Sequence, residues 1–67
     1  MISFLEGTIV LKGEKFVIIE TGGIGYRAFA TAETLQKLPE KGGEVKVWTH
    51  EHIREDAREL YAFLHFS

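Results

Sequence analysis

The sequence predicts a small all-β domain, and three of its features support this fold class. Short apolar runs, rich in β-branched and aromatic residues, alternate with turn signals that contain glycine. The first run, Ile2 to Leu11, is long for one strand and carries Gly7 near its centre, which is typical of a strand that bends or bulges. One short segment in the middle of the chain has helical periodicity instead.

The first three apolar runs predict three strands that are joined by two hairpins. The runs are Ile2 to Leu11, Phe16 to Thr21 and Tyr26 to Thr31. Gly13 lies between the first two runs. Gly22-Gly23 follows the second run and has the backbone freedom that a tight hairpin turn requires.

A short helix is predicted between the third and fourth strands. Thr31 is a suitable N-cap, and Glu33 suits the positive end of the helix dipole. Leu35 and Leu38 fall on one helical face, and Pro39 ends the segment. A helix of about two turns is not stable alone, so we expect this helix to pack on the sheet.

A fourth strand begins at Glu44, but the last stretch, residues 51–64, has two interpretations. In the fourth strand, Val45, Val47 and Thr49 alternate with Lys46, Trp48 and His50. An amphipathic helix over the last stretch is favoured by apolar residues at helical spacing after Ile53: Ala57, Leu60, Tyr61 and Leu64. A strand is favoured by a second pattern, the alternation of Leu60, Ala62, Leu64 and Phe66 with Tyr61, Phe63 and His65.

The predicted order of elements is that of the OB-fold. Three strands, a short helix and two more strands make a five-stranded Greek-key barrel, whose long first strand bends to join both halves. We expect residues 1–67 to form this one domain. A domain of this length buries only about 60% of its unfolded surface, so its core is thin.

Composition excludes several classes of function. The absence of cysteine excludes a disulfide framework and thiolate zinc sites. The apolar runs are too short to cross a membrane and no signal peptide is recognisable, so a cytoplasmic location is expected. The net charge of −2 argues against a free-standing nucleic-acid binder, because cationic side chains dominate affinity for phosphates.

No pattern in the sequence is typical of an active site, and no cofactor is expected. Gly22 to Gly25 lacks the spacing and the following helix of a phosphate-binding loop. His50 and His52 share one face of a strand, but a metal site would need a third ligand such as His65. The aromatic residues have two interpretations, a base-stacking platform or core and interface residues: Tyr26, Phe29, Trp48, Tyr61 and Phe63.

The densest charge cluster is Arg54-Glu55-Asp56, followed by Arg58 and Glu59. A solvated surface is the usual explanation of such a cluster. If Glu55 and Asp56 lie at a tight turn, however, both must point outward, and they form a fixed negative projection. Such a projection acts on a polyanion or on a cationic partner.

Two motifs, taken together, are highly specific for one protein family: Gly22-Gly23-Ile24-Gly25-Tyr26 and Arg54-Glu55-Asp56-Ala57. With these motifs, and over nearly its whole length, the sequence resembles the N-terminal domain of the RuvA family. Members of this family are the Holliday-junction-binding subunits of the bacterial RuvAB branch-migration complex. The remaining matches are Met1-Ile2, Leu5, Gly7, Val17 to Glu20, Leu38-Pro39, Trp48 to His50 and Leu60 to Phe63.

The resemblance implies an OB-fold and therefore strands, not a helix, in the last stretch. It implies a homotetramer that binds a four-way DNA junction, with Glu55 and Asp56 as an acidic pin at the junction centre. It also implies that Arg54 lies close enough to contact a phosphate. The domain would be non-enzymatic, because the family's ATPase is the partner RuvB.

The resemblance further implies that two family domains are absent from these 67 residues: the helix-hairpin-helix domain that grips DNA and the domain that contacts RuvB. A second hypothesis remains, in which the chain is a generic OB-fold module for single-stranded nucleic acid or a protein partner.

Overall fold

A computed structural model describes residues 2–64 as a single barrel with one short helix packed against it. The elements are β1 (Phe4–Lys12), β2 (Phe16–Thr21), β3 (Ile24–Phe29), α1 (Ala32–Lys37), β4 (Glu44–Ile53) and β5 (Arg58–Phe63). The predicted order is confirmed. The third strand begins and ends two residues earlier than predicted, because the preceding turn is short and Thr31 serves as the helix cap.

The five strands close in the order β1-β2-β3-β5-β4, in which β3 and β5 are parallel and the other neighbours are antiparallel. This topology confirms the OB-fold. The helical interpretation of residues 51–64 is wrong, because β4 and β5 pair from Trp48↔Phe63 to Ile53↔Arg58. The strand alternation also places Ala62 inside the barrel, at 7% exposure.

Strand β1 belongs to both halves of the barrel, as its length predicted. Its first half pairs with β4 as far as Thr8, and its second half pairs with β2 from Thr8 onward. The register between β1 and β2 shifts between Ile9 and Leu11, so the bulge lies after Gly7 and not at it. Gly7 is required for another reason: a Cβ atom there would overlap the backbone carbonyl oxygen of Glu20.

The turn between β2 and β3 contains only Gly22 and Gly23, whose φ angles are 61° and 85°. Positive φ at both central residues is characteristic of the type I′ hairpin, whose twist matches that of the strands it joins. Residues other than glycine, asparagine and aspartate rarely adopt this backbone conformation. The two glycines therefore fix the pairing register of β2 and β3.

Among residues 2–64, the buried hydrophobic side chains are all aliphatic, and α1 closes one end of the core that they form. The Thr31 hydroxyl oxygen accepts a hydrogen bond from the Thr34 backbone N–H, which caps the helix as predicted. Leu35 packs the helix against the barrel. The core residues are Leu5, Ile9, Val17, Ile19, Ala28, Leu35, Leu38, Val47 and Ala62. Within residues 2–64, no helix has the length and apolar character needed to cross a bilayer.

The buried polar side chain of Thr49 helps to fasten the start of the chain to β4. The Thr49 hydroxyl, in a residue that is only 7% exposed, donates a hydrogen bond of 2.7 Å to the carbonyl oxygen of Ile2. The backbone N–H of Thr49 donates to the carbonyl oxygen of Ser3 at 2.8 Å. The strand pairing is thereby continued beyond the N-terminal end of β1.

We expect Thr49→Val to destabilise the domain by about 1 kcal/mol, because it keeps the side-chain volume but leaves the Ile2 carbonyl without its hydroxyl donor. In a domain of this size, thermal unfolding should then occur about 4–8 °C lower. Thr21→Val is the matched control, since the Thr21 side chain makes no hydrogen bond to any residue in 2–64. Equal melting temperatures for the two variants would contradict the prediction.

Candidate nucleic-acid interface

The acidic loop, residues 54–57, connects β4 to β5 and projects from one end of the barrel. It is a tight turn, closed by a hydrogen bond of 2.7 Å from the Arg54 N–H to the carbonyl oxygen of Ala57. Ile53 and Arg58 are paired immediately below it. Glu55 and Asp56 occupy the two central positions and are exposed. The sequence motif is therefore found at the tip of a two-stranded hairpin.

Arg54 is drawn away from the two acidic residues at the tip of the loop. Its Nε lies 3.4 Å from Oε1 of Glu59 on β5, and the same oxygen accepts a hydrogen bond from the Tyr61 hydroxyl at 3.2 Å. The ion pairs between residues 2–64 include neither Glu55 nor Asp56. Glu59 thus balances the arginine, and the tip of the loop keeps two uncompensated negative charges.

A second carboxylate supports the base of the hairpin. The Glu51 side chain is only 7% exposed and lies 3.9 Å from the Arg58 guanidinium of the paired strand. Its Oε1 also accepts a hydrogen bond of 3.4 Å from the backbone N–H of Ile2. Glu51 thereby connects β4, β5 and the start of the chain. This arrangement holds the base of the hairpin against the barrel.

The barrel has two chemically different ends. Because β3 and β5 are parallel, the Gly22-Gly23 turn and the acidic loop both lie where these strands begin. The opposite end carries α1 and residues 40–43, which lead into β4. The acidic loop therefore lies at the opposite end of the barrel from the helix.

No aromatic side chain of residues 2–64 is fully buried, although Tyr26 packs against the aliphatic core. Phe4 and Trp48 meet edge to face, with ring centroids 6.2 Å apart. The Lys46 ammonium lies 5.0 Å from the Phe4 ring centroid and 5.9 Å from that of Trp48. The Phe4 and Trp48 rings therefore lie on the outer face of the barrel, where a partner can reach them.

The histidines do not form a metal site within residues 2–64. His50 and His52 both point outward and are exposed, as their spacing predicted. No group of three histidine, cysteine, aspartate or glutamate side chains in the described range is arranged to hold a metal ion. The proposed third ligand, His65, lies outside the described residues.

Comparison with known proteins agrees with this geometry. The model of the family described as the RuvA N terminal domain matches residues 1–62. The chain belongs to this family. Its motif Arg54-Glu55-Asp56-Ala57 forms the acidic loop, and its motif Gly22 to Tyr26 forms the type I′ turn and the start of β3. The two motifs that carried the resemblance therefore lie at the same end of the barrel.

Curated relatives of this RuvA-family chain are named Holliday junction branch migration complex subunit RuvA. The relative from Solibacter usitatus is 45% identical over 64 residues, which are 96% of this chain and 32% of the relative. The relative from Brevibacillus brevis is 46% identical over 63 residues, which are 94% of this chain and 30% of the relative. The chain thus spans about a third of the length of these relatives.

The sequence identified the acidic loop but not the side chains that arrange it. In the sequence, Glu59 is part of a charge cluster with no partner indicated, and Glu51 lies between two histidines in a strand that pattern alone assigns. Strand alternation is the signal that identifies Glu51, because it places this residue on the same inward face as Val47 and Thr49. An acidic residue at an inward position requires a partner.

Proposed function

We propose that this domain is a non-enzymatic DNA-binding scaffold of a Holliday junction branch-migration complex, in recombination and repair. Family membership and the printed names of the relatives support the role. The observation that carries the proposal is the pair of uncompensated carboxylates of Glu55 and Asp56 at a hairpin tip. In this role the pair is an acidic pin at the centre of the junction.

Repulsion of phosphates is the physical action of the pin. At physiological ionic strength, salt screens solvent-exposed charges from each other beyond about 8–10 Å. The pin therefore acts on the phosphates nearest the crossover and leaves the arms of the junction to cationic surfaces elsewhere. This short range allows a domain with a net charge of −2 to work in a DNA complex.

Four copies of the domain around a symmetry axis would place eight such carboxylates at the crossover. We propose this homotetramer as the working assembly, with the four-way junction lying on the face where the acidic loops converge. The remainder of a full-length RuvA chain would supply the DNA grip and the contact with the RuvB motor, where ATP is hydrolysed. The isolated chain should accordingly bind junctions more weakly than the complete protein does.

The test uses a full-length chimera, in which residues 1–64 of this sequence replace the N-terminal domain of the Brevibacillus brevis relative. Light scattering measures its assembly, and band shifts compare a four-way junction with a linear duplex of equal length. We expect a tetramer that prefers the junction. A chimera that binds duplex and junction equally well, while still tetrameric, would refute the junction-specific role.

The alternative is a generic OB-fold module that stacks single-stranded bases, and the exposed Phe4–Trp48 pair favours it. Trp48 is the only tryptophan, so its fluorescence reports directly on this surface. The alternative predicts that oligothymidine quenches this fluorescence in the 67-residue chain, and that Trp48→Ala and Tyr26→Ala abolish binding. The scaffold role predicts no saturable quenching at about 150 mM salt.

Arg54 is proposed as a phosphate contact beside the pin. Its side chain is 58% exposed despite the ion pair with Glu59, so it can turn toward DNA. In the chimera, we expect Arg54→Gln to weaken junction binding by roughly two- to fivefold. The slope of log affinity against log salt concentration should become shallower by about one for each contacting subunit. Band shifts over a series of salt concentrations measure both quantities.

Lys41→Gln is the control for Arg54→Gln, because it removes the same charge from an exposed residue at the opposite end of the barrel. It should leave junction affinity and its salt dependence unchanged. If the two variants weaken binding equally, Arg54 contributes only to the overall charge and makes no specific phosphate contact.

A further inference from the structure

Arg54 and Glu59 are diagonal neighbours across the hairpin that β4 and β5 form. Glu59 lies directly opposite His52, and Arg54 follows His52 by two residues. Diagonal neighbours on one face of a sheet are about 7–8 Å apart, which is within reach of a long side chain such as arginine. The Arg54 Nε accordingly lies 3.4 Å from Oε1 of Glu59. The contact is therefore a consequence of the strand register and not of the loop alone.

The Glu59 carboxylate is held in place by Tyr61. Strand alternation puts these two residues on the outer face of β5, two positions apart. The Tyr61 hydroxyl donates a hydrogen bond of 3.2 Å to Oε1 of Glu59, the same oxygen that faces Arg54. Only 26% of the Glu59 side chain is exposed, compared with 58% of the Arg54 side chain. Glu59 is thus the fixed member of the ion pair, and Arg54 is the member that is free to move.

The contact between Arg54 and Glu59 is weak enough for another anion to replace it. Its length of 3.4 Å exceeds the range of about 2.7–2.9 Å that is typical of a strong hydrogen bond between charged groups. Exposed ion pairs contribute little to stability, and exposed side chains change rotamer within nanoseconds. The Arg54 backbone is fixed by its hydrogen bond to Ala57, so only the side chain has to turn. Arg54 can therefore leave Glu59 without disturbing the acidic loop.

We infer that Glu59 competes with DNA phosphates for Arg54 and thereby limits the DNA affinity of the acidic loop. In the free domain, the guanidinium lies against Glu59. In the complex, it turns to a phosphate oxygen and leaves the Glu59 carboxylate without its partner. The inference rests on the proposed DNA-binding role and adds an internal contact that opposes binding. Glu59 is a positioning residue, since it acts through Arg54 and makes no contact with DNA.

This competition makes the contribution of Arg54 smaller than that of an unopposed arginine. The interaction with phosphate only replaces the interaction with Glu59, and the released carboxylate adds a third negative charge beside Glu55 and Asp56. Both effects disappear when Glu59 is neutral. Glu59→Gln keeps the length of the side chain and an oxygen that accepts the hydrogen bond of Tyr61, so the variant should fold normally.

The first test examines the free state of Arg54 in the 67-residue chain. The other arginines are Arg27 and Arg58, so ¹⁵N labelling gives few Nε–H signals, and Arg54→Gln identifies the signal of Arg54. We expect the Arg54 Nε–H to exchange with water at least threefold more slowly in the native chain than in Glu59→Gln. Equal exchange rates would overturn the inference without any DNA, because Arg54 would then be free before binding.

The second test is a double-mutant cycle for DNA binding by the full-length chimera. We expect Glu59→Gln to strengthen junction binding about fivefold when Arg54 is present. In the Arg54→Gln background, the same substitution should strengthen binding by less than about twofold, because only the loss of a negative charge then acts. If the effects of the two substitutions are additive, Glu59 acts through its charge alone and the inference is wrong.

Tyr61→Phe is the matched variant that changes no charge. It removes the hydrogen bond that holds Glu59. We expect it to strengthen junction binding about twofold with native Glu59 and to have no effect in the Glu59→Gln background. An equal effect in both backgrounds would contradict the competition.

Each cycle is measured with a four-way junction and with a linear duplex of equal length. Loss of junction preference by the unmodified chimera would refute the scaffold role. Additive cycles with both DNAs would instead overturn the competition, so the two failures are distinguishable.

Discussion

Neutralising the pin with Glu55→Gln and Asp56→Asn should reduce the ability of the full-length chimera to distinguish junctions from duplex. In the proposed tetramer, a straight duplex would place phosphates over the acidic loops, whereas an open junction would leave its centre free. Removal of eight negative charges should therefore strengthen duplex binding about tenfold, which corresponds to about 1.4 kcal/mol. We expect junction affinity to change by less than about threefold.

Two measurements check this expectation in the double variant. Band shifts give the ratio of junction to duplex affinity, and energy transfer between dyes on opposite arms reports how open the crossover is. The effect should weaken as salt is raised from about 50 to 500 mM, because the screening length falls from about 14 to about 4 Å. An effect that is independent of salt would indicate a change of structure and not the loss of repulsion.

Glu40→Gln with Glu44→Gln is the matched control for the pin variant. Both residues are exposed and lie at the start of β4 or just before it, at the opposite end of the barrel from the acidic loop. The control removes the same charge and should leave the ratio of affinities unchanged. The assignment of Glu55 and Asp56 as the pin is wrong if both double variants behave alike, or if junction geometry and the rate of branch migration are unaffected.

Glu59 explains why the loop motif contains an arginine and yet remains negative at its tip. A free guanidinium beside Glu55 and Asp56 would cancel about half of their charge. The ion pair with Glu59 holds Arg54 against β5 and preserves the charge at the tip. The pair is partly exposed, so its contribution to stability is small, about 1 kcal/mol at most. Its importance lies in the direction that Arg54 takes.

Most of the barrel could be predicted from local patterns, but its closure could not. The β2–β3 turn is determined by Gly22-Gly23, and the helix cap is determined by Thr31, both within a few residues of sequence. Residues 58–63 had two interpretations because their periodicity fits both a helix and a strand. Pairing with β4 and with β3 makes these residues a strand. The pair Ala28↔Leu60 joins residues that are far apart in the chain, so local sequence patterns do not predict it.

The same division applies to the candidate site. The position of Glu55 and Asp56 at a turn follows from the resemblance and from the hairpin that surrounds them. The contact of Glu59 with Arg54 and Tyr61 depends on side-chain directions across that hairpin, which residue spacing does not determine. The exposure of the Phe4 and Trp48 rings likewise depends on a core that aliphatic side chains already fill.

The largest effect on stability is expected from Gly7→Ala. A Cβ atom at this position would overlap the carbonyl oxygen of Glu20 and lie 2.9 Å from its carbonyl carbon. Both are backbone atoms of β2, so no side-chain rotation relieves the overlap. We expect a cost of about 4 kcal/mol, as for severe overpacking. For a chain of 67 residues, a total stability of about 3–10 kcal/mol is typical, so this cost would remove from about 40% of the stability to all of it, and the urea midpoint should fall sharply.

Gly25→Ala separates this overlap from the general effect of replacing a strand glycine. Gly25 is paired with the same residue, Glu20, from the other side of β2, and its added Cβ would lie 3.4 Å from a methyl group of Ile18. That is an ordinary contact, so the urea midpoint should shift little or rise slightly. If Gly7→Ala unfolds at the same urea concentration as Gly25→Ala, close approach of β1 and β2 does not require glycine. The bend that lets β1 join both halves would then need another explanation.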